Sequence, residues 1–385
     1  MIKRILATKI KQSAKNMPIV AVLGPRQSGK TTLVRYLFPK YRYVNLESPD
    51  TREHAMSDPR GFLALYNKYV IFDEIQRVPE LFSYLQVKTD EDKIDGQYII
   101  TGSQHFLLMK SISQSLAGRV AIHTLPPLTY SEISSISPKL TSSLEKLIFT
   151  GSYPRIYEKK LDPTTWYGEY VSTYVERDLR ELIQVGNLGT FLKFLRLLAG
   201  RTGQILNLSS LASDSGITHN TAKSWISILE TSFIVFLLPP HYQNFNKQII
   251  KAPKLYFYDT GLVCYLLGIT SSSQLFTNPL IGHLFETWVI SEYFKNTFAH
   301  KHNPNIYYYW RDKLGHEIDL LITLGNQTML PIEIKYGQTI NSDFFKNITY
   351  YQSLAGDNAP KSTIIYGGKL KYSKNHTQII PWFDL

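Results

Sequence analysis

The segment 24-GPRQSGKT-31 constrains this chain more than any other. It fits G-x-x-x-x-G-K-[ST] and lies between a buried apolar stretch, 18-PIVAVLG-24, and a helix-forming one, 31-TTLVRYLF-38. That pattern carries chemistry only where a strand runs through a glycine turn into a helix. Gly24 and Gly29 let the backbone bend so that its N–H groups face an anion at a helix N-terminus, where the helix dipole adds to their pull. The spacing makes Gly24, Pro25, Arg26, Gln27, Ser28, Gly29, Lys30, Thr31 and Thr32 the expected cradle of ATP. Lys30 would reach the β and γ phosphates, and Thr31 would ligate magnesium.

The first ~130 residues alternate short apolar runs with amphipathic stretches, the pattern of a parallel sheet covered by helices. Candidate strands are 18-PIVAVLG-24, 41-YRYVNLE-47, 69-YVIFDE-74, 97-QYIITGS-103 and 119-RVAIHTL-125. The third ends in two adjacent carboxylates with separable roles. Asp73 can hold Mg2+ through its water shell, while Glu74 can polarise a water for attack on the γ phosphate. The fourth ends in 101-TGSQ-104, which places Ser103 or Thr101 beside the γ phosphate as a sensor. Arg119, in 115-SLAGR-119, is a candidate for stabilising transition-state charge in its own subunit or a neighbouring one. Arg26, Arg155, Arg177 and Arg180 are its rivals, and a neighbour's arginine would require a homo-oligomer.

With 385 residues the chain exceeds one ordinary core, and 43% hydrophobic residues suffice to order several. A net charge of +11 favours polyanionic partners. Cys264 is the single cysteine, so an intramolecular disulfide or thiolate zinc cage is excluded, which fits a cytoplasmic location. The longest apolar run, Phe233 to Leu238, stops at Pro239 and Pro240, so no membrane partner is expected. Ile2, Ile5, Leu6 and Ile10 follow helical spacing and predict a docked amphipathic helix rather than a targeting peptide.

From about 130 to 240 the periodicity is helical, with a short strand pair expected near 233 to 242. The stretch 208-LSSLASDSGITHNTAKSWISILETSFIV-235 reads as a helix-turn-helix, with Gly216 in the turn and Thr218 capping the second helix. The apolar run to Leu238 and the segment after Pro240 would form a wing. His219, Asn220, Lys223 and Ser224 would then lie where such helices meet DNA.

Beyond residue 280 a helix precedes strands at 306-IYYYWR-311, 316-HEIDLLI-322, 328-TMLPIEIK-335 and 363-TIIYG-367. Glu333 and Lys335 are two apart on one strand and share a face. Asp319 lies on the strand before, across a connection around Gly325 and Asn326, and Glu286 lies on the helix 280-LIGHLFETWVISEYF-294. Glu286, Asp319 and Glu333 could bind Mg2+ or Mn2+ while Lys335 activates a water for phosphodiester cleavage.

Taken together, GPRQSGKTT, YVIFDEIQ, TGSQ, SLAGR, 170-YVSTYVERDLREL-182, 252-APKLYFYDTGLVCYLLG-268, GHLFETWV, YYYWRDKLGHEIDLLI and PIEIKYG resemble bacterial and archaeal AAA-type ATP-binding proteins that end in a domain of unknown function. The resemblance implies an α/β chain with a P-loop core of the ASCE/AAA type at 1–135 and a helical lid or connector at 136–190. A winged helix would follow at 191–270 and a PD-(D/E)xK nuclease-like domain at 271–385. It puts Asp319, Glu333 and Lys335 on the nuclease signature and Glu286 on its helix, with Ile318 where that signature has proline. The expected activity is ATP hydrolysis coupled to DNA engagement, with cleavage by the C-terminal domain. The alternatives are a nucleotide-gated module that only holds a partner and a phosphotransferase acting on a small acceptor.

Overall fold

The computed structural model describes residues 2–103, 116–174, 188–241, 251–300, 306–324, 328–359 and 361–385. The chain opens with α1 (Ala7–Ser13), whose Ile10 is buried, together with Leu6, beside the first sheet. That sheet contains β1 (Ile19–Gly24), β2 (Arg42–Asn45), β3 (Val70–Asp73), β4 (Tyr98–Ser103) and β5 (Val120–Thr124), in the order β2-β3-β4-β1-β5. Every neighbouring pair is parallel, so all five strands point their C-terminal ends at one edge. Residues of β1 and β3 are buried throughout, as expected of strands covered on both faces. The covering helices are α2 (Lys30–Leu37), α3 (Pro49–Ser57), α4 (Pro59–Leu65) and α5 (Leu81–Asp92).

The chain then leaves the sheet through α6 (Tyr130–Ile136), which starts with a capping box between Thr129 and Glu132. Three short helices follow, α7 (Leu144–Thr150), α8 (Pro154–Lys159) and α9 (Pro163–Tyr170). Asp162 caps the last of these and Pro163 opens it. Next come α10 (Leu188–Ala199), β6 (Gln204–Ile205), α11 (Leu208–Ser215) and α12 (His219–Thr231). Gly216 takes the left-handed conformation that ends α11, and the Thr218 hydroxyl accepts from the Thr221 N–H to begin α12.

β7 (Val235–Leu238) pairs with β8 (Lys254–Phe257), so the strand expected near 233 to 242 has a more distant partner among the described residues. Pro239 and His241 bond instead to the backbone of Tyr309 in the C-terminal sheet. Proline has no N–H to extend the hairpin, which accounts for the switch of partner. Residues 242–250, in the expected wing, lie outside the described residues.

α13 (Thr260–Leu266), capped by Asp259, leads to the long α14 (Ile281–His300). The second large sheet holds β9 (Tyr307–Arg311), β10 (Glu317–Thr323), β11 (Met329–Lys335), β12 (Ser362–Tyr366), β13 (Tyr372–Lys374) and β14 (Thr377–Pro381), in the order β13-β14-β12-β11-β10-β9. α14 and α15 (Asp343–Ala355) both pack against β11. One continuous core joins the helices between residues 130 and 266 to α14 and the apolar residues Leu320, Ile332 and Ile365. The carboxylates of the second sheet are therefore held against the middle of the chain.

Candidate nucleotide-binding site and carboxylate cluster

Parallel pairing puts the ends of β1, β3 and β4 side by side and brings the glycine turn to the two acids. Gly24 has φ +146°, and a Cβ there would stand 2.3 Å from the Leu125 carbonyl oxygen, so only glycine fits the close approach. Gly29 has φ +90° and releases the chain into α2. At the first turn of that helix Lys30 is buried, its Nζ donating to the carbonyls of Gly24 (3.1 Å) and Pro25 (2.9 Å). Burial pushes its ammonium down to about 8, even though Glu74 and Asp73 favour the charged form.

The next residue closes the site. Thr31 Oγ1 donates to the Asp73 carboxylate at 2.9 and 3.0 Å, joining the loop to the end of β3. The same carboxylate accepts from the Tyr43 hydroxyl at 2.6 Å and from Thr101 Oγ1. Burial, and then Asp73, raises the Tyr43 hydroxyl well above its usual range, so it stays a donor. Glu74 follows with φ +57°, a left-handed conformation that is costly for a non-glycine residue and recurs at functional sites. It lines a cleft of about 540 Å³ with Arg26, Gln27, Gly29, Lys30, Thr31, Thr32 and Arg155, and Gln76 bonds its carboxylate.

The donor set fits a triphosphate and a hard cation. A hydroxyl beside a carboxylate suits oxygen coordination of magnesium, and a buried amine that bonds backbone carbonyls can exchange them for phosphate oxygens. The buried hydroxyls of Ser28 and Ser103 have no hydrogen-bond partner among the described residues. Ser103 stands opposite Gly24 in the ladder, whereas Thr101 faces Asp73.

Arg119 is placed elsewhere. Its carbonyl accepts from the Ile19 N–H at the start of β1, and its guanidinium clasps Asp90 at 2.6 and 2.8 Å. A residue just before the start of β5 lies at the edge of a parallel sheet opposite the edge where β1 ends, which places Arg119 away from the nucleotide cleft of its own chain. Arg26 and Arg155 line that cleft, and Arg177 and Arg180 lie outside the described residues.

Arg4 was not singled out from sequence, yet it holds the loop from below. Buried, it donates to the carbonyls of Ser28 (2.8 Å) and Pro126 (2.6 Å) and pairs with Glu132 (3.1 Å). Glu132 also accepts from the N–H groups of Ile5 and Thr129. One residue on, the Tyr130 N–H donates to Glu292 of α14, and Lys295 of that helix bonds the Leu128 carbonyl. Buried charges of this kind persist where every lone pair and proton has a partner.

Further along the chain, Glu286 of α14 approaches Asp319 of β10, while Glu333 and Lys335 of β11 lie on the face covered by α15, whose Asn347 donates to Glu333 at 3.2 Å. Asp319 accepts from the Ile334 N–H at 2.8 Å, and Lys335 pairs with Glu333 at 2.6 Å. Burial, then Glu333 and Glu286, raises the Asp319 carboxyl well above its ordinary range. One oxygen of Glu333 is buried without a partner among the described residues. Among the described residues, the carboxylates that each offer an oxygen within 4.8 Å of the others are Glu286, Glu317 and Asp319, with Glu317 where Glu333 was expected. Glu317 lies two residues before Asp319, but the register of β10 shifts between Ile318 and Leu321, so its place in this group was not legible from alternation alone. Lys254 and Tyr256 of β8, which bond Glu286 at 2.7 and 2.6 Å, carried no sequence signal. The connection around Gly325 and Asn326 lies outside the described residues.

His219, Asn220, Lys223 and Ser224 all lie on the exposed side of α12. Among the described residues no helix is long and apolar enough to cross a membrane.

Comparison with known proteins agrees with the sheet order and the loop. Residues 16–134 match an AAA domain, residues 141–273 a domain of unknown function (DUF8612), and residues 281–385 a second (DUF4143). The first region is thus an AAA-type P-loop ATPase fold, which implies nucleotide binding. Among solved structures the chain is similar to the walker-type ATPase paby2304 of Pyrococcus abyssi. That likeness is at 15% identity and TM-score 0.45, covering 69% of this chain and 96% of the other. Uncharacterized protein MJ1544 of Methanocaldococcus jannaschii is 22% identical over 83% of this chain and 76% of its own length. Uncharacterized protein Rv2008c of Mycobacterium tuberculosis is 30% identical over 84% of this chain and 72% of its own length, so the chain belongs to the family of AAA-domain proteins that includes Rv2008c.

Proposed function

We propose that the chain hydrolyses ATP with magnesium and uses the nucleotide state to control how its middle and C-terminal parts engage DNA. The observation that carries the first half is the contact of Thr31 with Asp73, with Glu74 next to it on the same cleft. Thr31 and Asp73 would hold the magnesium ion, which would neutralise charge on the β and γ phosphates. Lys30 gives up its carbonyl partners to bind phosphate. Glu74, steadied by Gln76, orients and polarises the attacking water, and the Ser103 hydroxyl, without a partner among the described residues, would answer the γ phosphate. Among the described residues Arg155 and Arg26 line the cleft as candidates to stabilise charge at that phosphate.

The chain from Arg4 through Glu132 and Tyr130 to Glu292 supports the second half, because it joins the Ser28 carbonyl to the helix that bears Glu286. The helix-turn-helix at α11 and α12, read as part of a winged helix with β7 and β8, presents its polar side to solvent. The net charge of +11 favours a polyanion. A second reading, metal-dependent DNA cleavage, is favoured by Asp319, whose carboxyl is raised by Glu333 and Glu286, with Lys335 paired to Glu333.

Two assays on the full chain test these readings. Lys30→Ala is expected to abolish ATP binding and turnover while leaving the fold intact; unchanged hydrolysis overturns the site. DNA retention in a gel should differ between ATP and ADP, and plasmid nicking in Mg2+ or Mn2+ should vanish in Asp319→Asn. Retention that ignores nucleotide sinks the coupling, and intact plasmid under every condition sinks cleavage alone.

A further inference from the structure

Lys254 belongs to β8 of the small three-stranded sheet, yet its side chain is buried among carboxylates of another part of the chain. Its Nζ lies 2.7 Å from Glu286 Oε1, touches Glu317 Oε1 and stands 4.0 Å from Asp319 Oδ1. These are the three residues whose oxygens lie within 4.8 Å of one another, a spacing that suits one divalent ion. Tyr256, two residues on along β8, donates to the same Glu286 oxygen. The strand therefore enters the cluster twice, with an ammonium and a hydroxyl.

We propose that Lys254 is an internal cation that fills the seat of a divalent metal, so that the carboxylate cluster is self-inhibited until β8 withdraws. The inference rests on the reading of the cluster as a cation site and adds the device that controls it. An ammonium and a divalent ion cannot share these oxygens. Both need to approach them closely, which would put a single and a double positive charge within a few ångströms of each other in a buried setting.

Occupancy of the metal is thereby tied to the position of β8. That strand is held by β7 and β6, and it leads directly to Asp259, whose carboxylate accepts from the Ser152 N–H. Ser152 in turn bonds Lys295 of α14 and the Leu128 N–H. Movement in the segment that follows the first sheet thus has a direct purchase on β8 and on α14, the two elements that meet at the cluster.

The test uses the nucleotide-free full chain with Thr31→Ala throughout, which silences metal binding at the nucleotide cleft, and reads Mn2+ binding by electron paramagnetic resonance of the free ion. Lys254→Met keeps the length of the side chain and removes its charge. If the lock is closed nine times in ten or more, the apparent affinity of the parent is lowered about tenfold or more. Lys254→Met is therefore expected to bind Mn2+ at least about tenfold more tightly, and its melting temperature should rise with Mn2+ more than the parent's does. Equal or weaker affinity in Lys254→Met, with binding by the parent, overturns the lock and leaves the metal site standing. Absence of binding in both overturns the lock and the metal reading together. If Lys254→Met fails to fold without metal, recovery of a cooperative melt in Mn2+ supports the proposal. Failure to recover overturns it when Lys254→Met/Glu317→Gln, which sheds one charge of each sign, folds and also ignores Mn2+.

Discussion

Arg4 offers the sharpest test of how the nucleotide loop is supported. Replacing it with Met keeps much of the apolar stem and removes the guanidinium that bonds Ser28, Pro126 and Glu132. Glu132 would be left as a buried charge that, among the described residues, keeps the N–H groups of Ile5 and Thr129 as donors. Breaking one side of a buried pair costs about 3–5 kcal/mol, far more than a surface ion pair is worth. In Glu132→Gln the guanidinium keeps its carbonyl partners, so the expected loss is smaller, ~1–3 kcal/mol. The double variant should cost less than the sum of the two, with a coupling of ~1–3 kcal/mol. Tryptophan fluorescence is blind to the first sheet, because all five tryptophans, Trp166, Trp225, Trp288, Trp310 and Trp382, lie after it. Hydrogen exchange of the β1 and β4 amides reports on that sheet directly. A loss below about 1 kcal/mol in Arg4→Met, or strict additivity in the double variant, refutes the reasoning.

Four further outcomes follow from the site. Glu74→Gln should keep ATP affinity and lose about 10²–10⁴ in turnover, as expected on removing a general base; a steady-state phosphate-release assay within about threefold of the parent contradicts its role. Lys30, held at about 8 by burial, loses its proton in the free chain as pH rises through that value, whereas bound phosphate keeps it charged. The ATP association constant should therefore fall above pH 8, with proton uptake on binding, and calorimetric heats near pH 9 that do not depend on the buffer's ionisation enthalpy contradict this. Gly24→Ala should destabilise more than Gly29→Ala, because both are strained at positive φ by ~1–3 kcal/mol while only Gly24 also meets a carbonyl, at 2.3 Å; a chemical denaturation series checks the order. Arg155→Ala should slow hydrolysis more than Arg119→Ala, whose side chain is engaged with Asp90; equal rates remove the reason to prefer Arg155.

The sequence by itself determined the first sheet almost completely. Its strands are short apolar runs between helices, and the period of two against 3.6 is a local property that needs no knowledge of the partner. The glycine turn, Lys30, Thr31 and the acidic pair were legible for the same reason: each is a residue type at a fixed offset from the end of a strand. What the sequence does not carry is which ends meet. Only the parallel pairing of β1, β3 and β4 decides that Thr31 touches Asp73, and that Arg119, at a strand's beginning, stands at the far edge from the loop. The same distinction separates β10 and β11, whose alternation was readable, from β8, four residues opened by a charged one and paired at long range with β7. Arg4 and Lys254 mark the limit most clearly. A buried charge is stable only with its partners in place, and those partners come from residues as distant in the chain as Glu132 and Glu286.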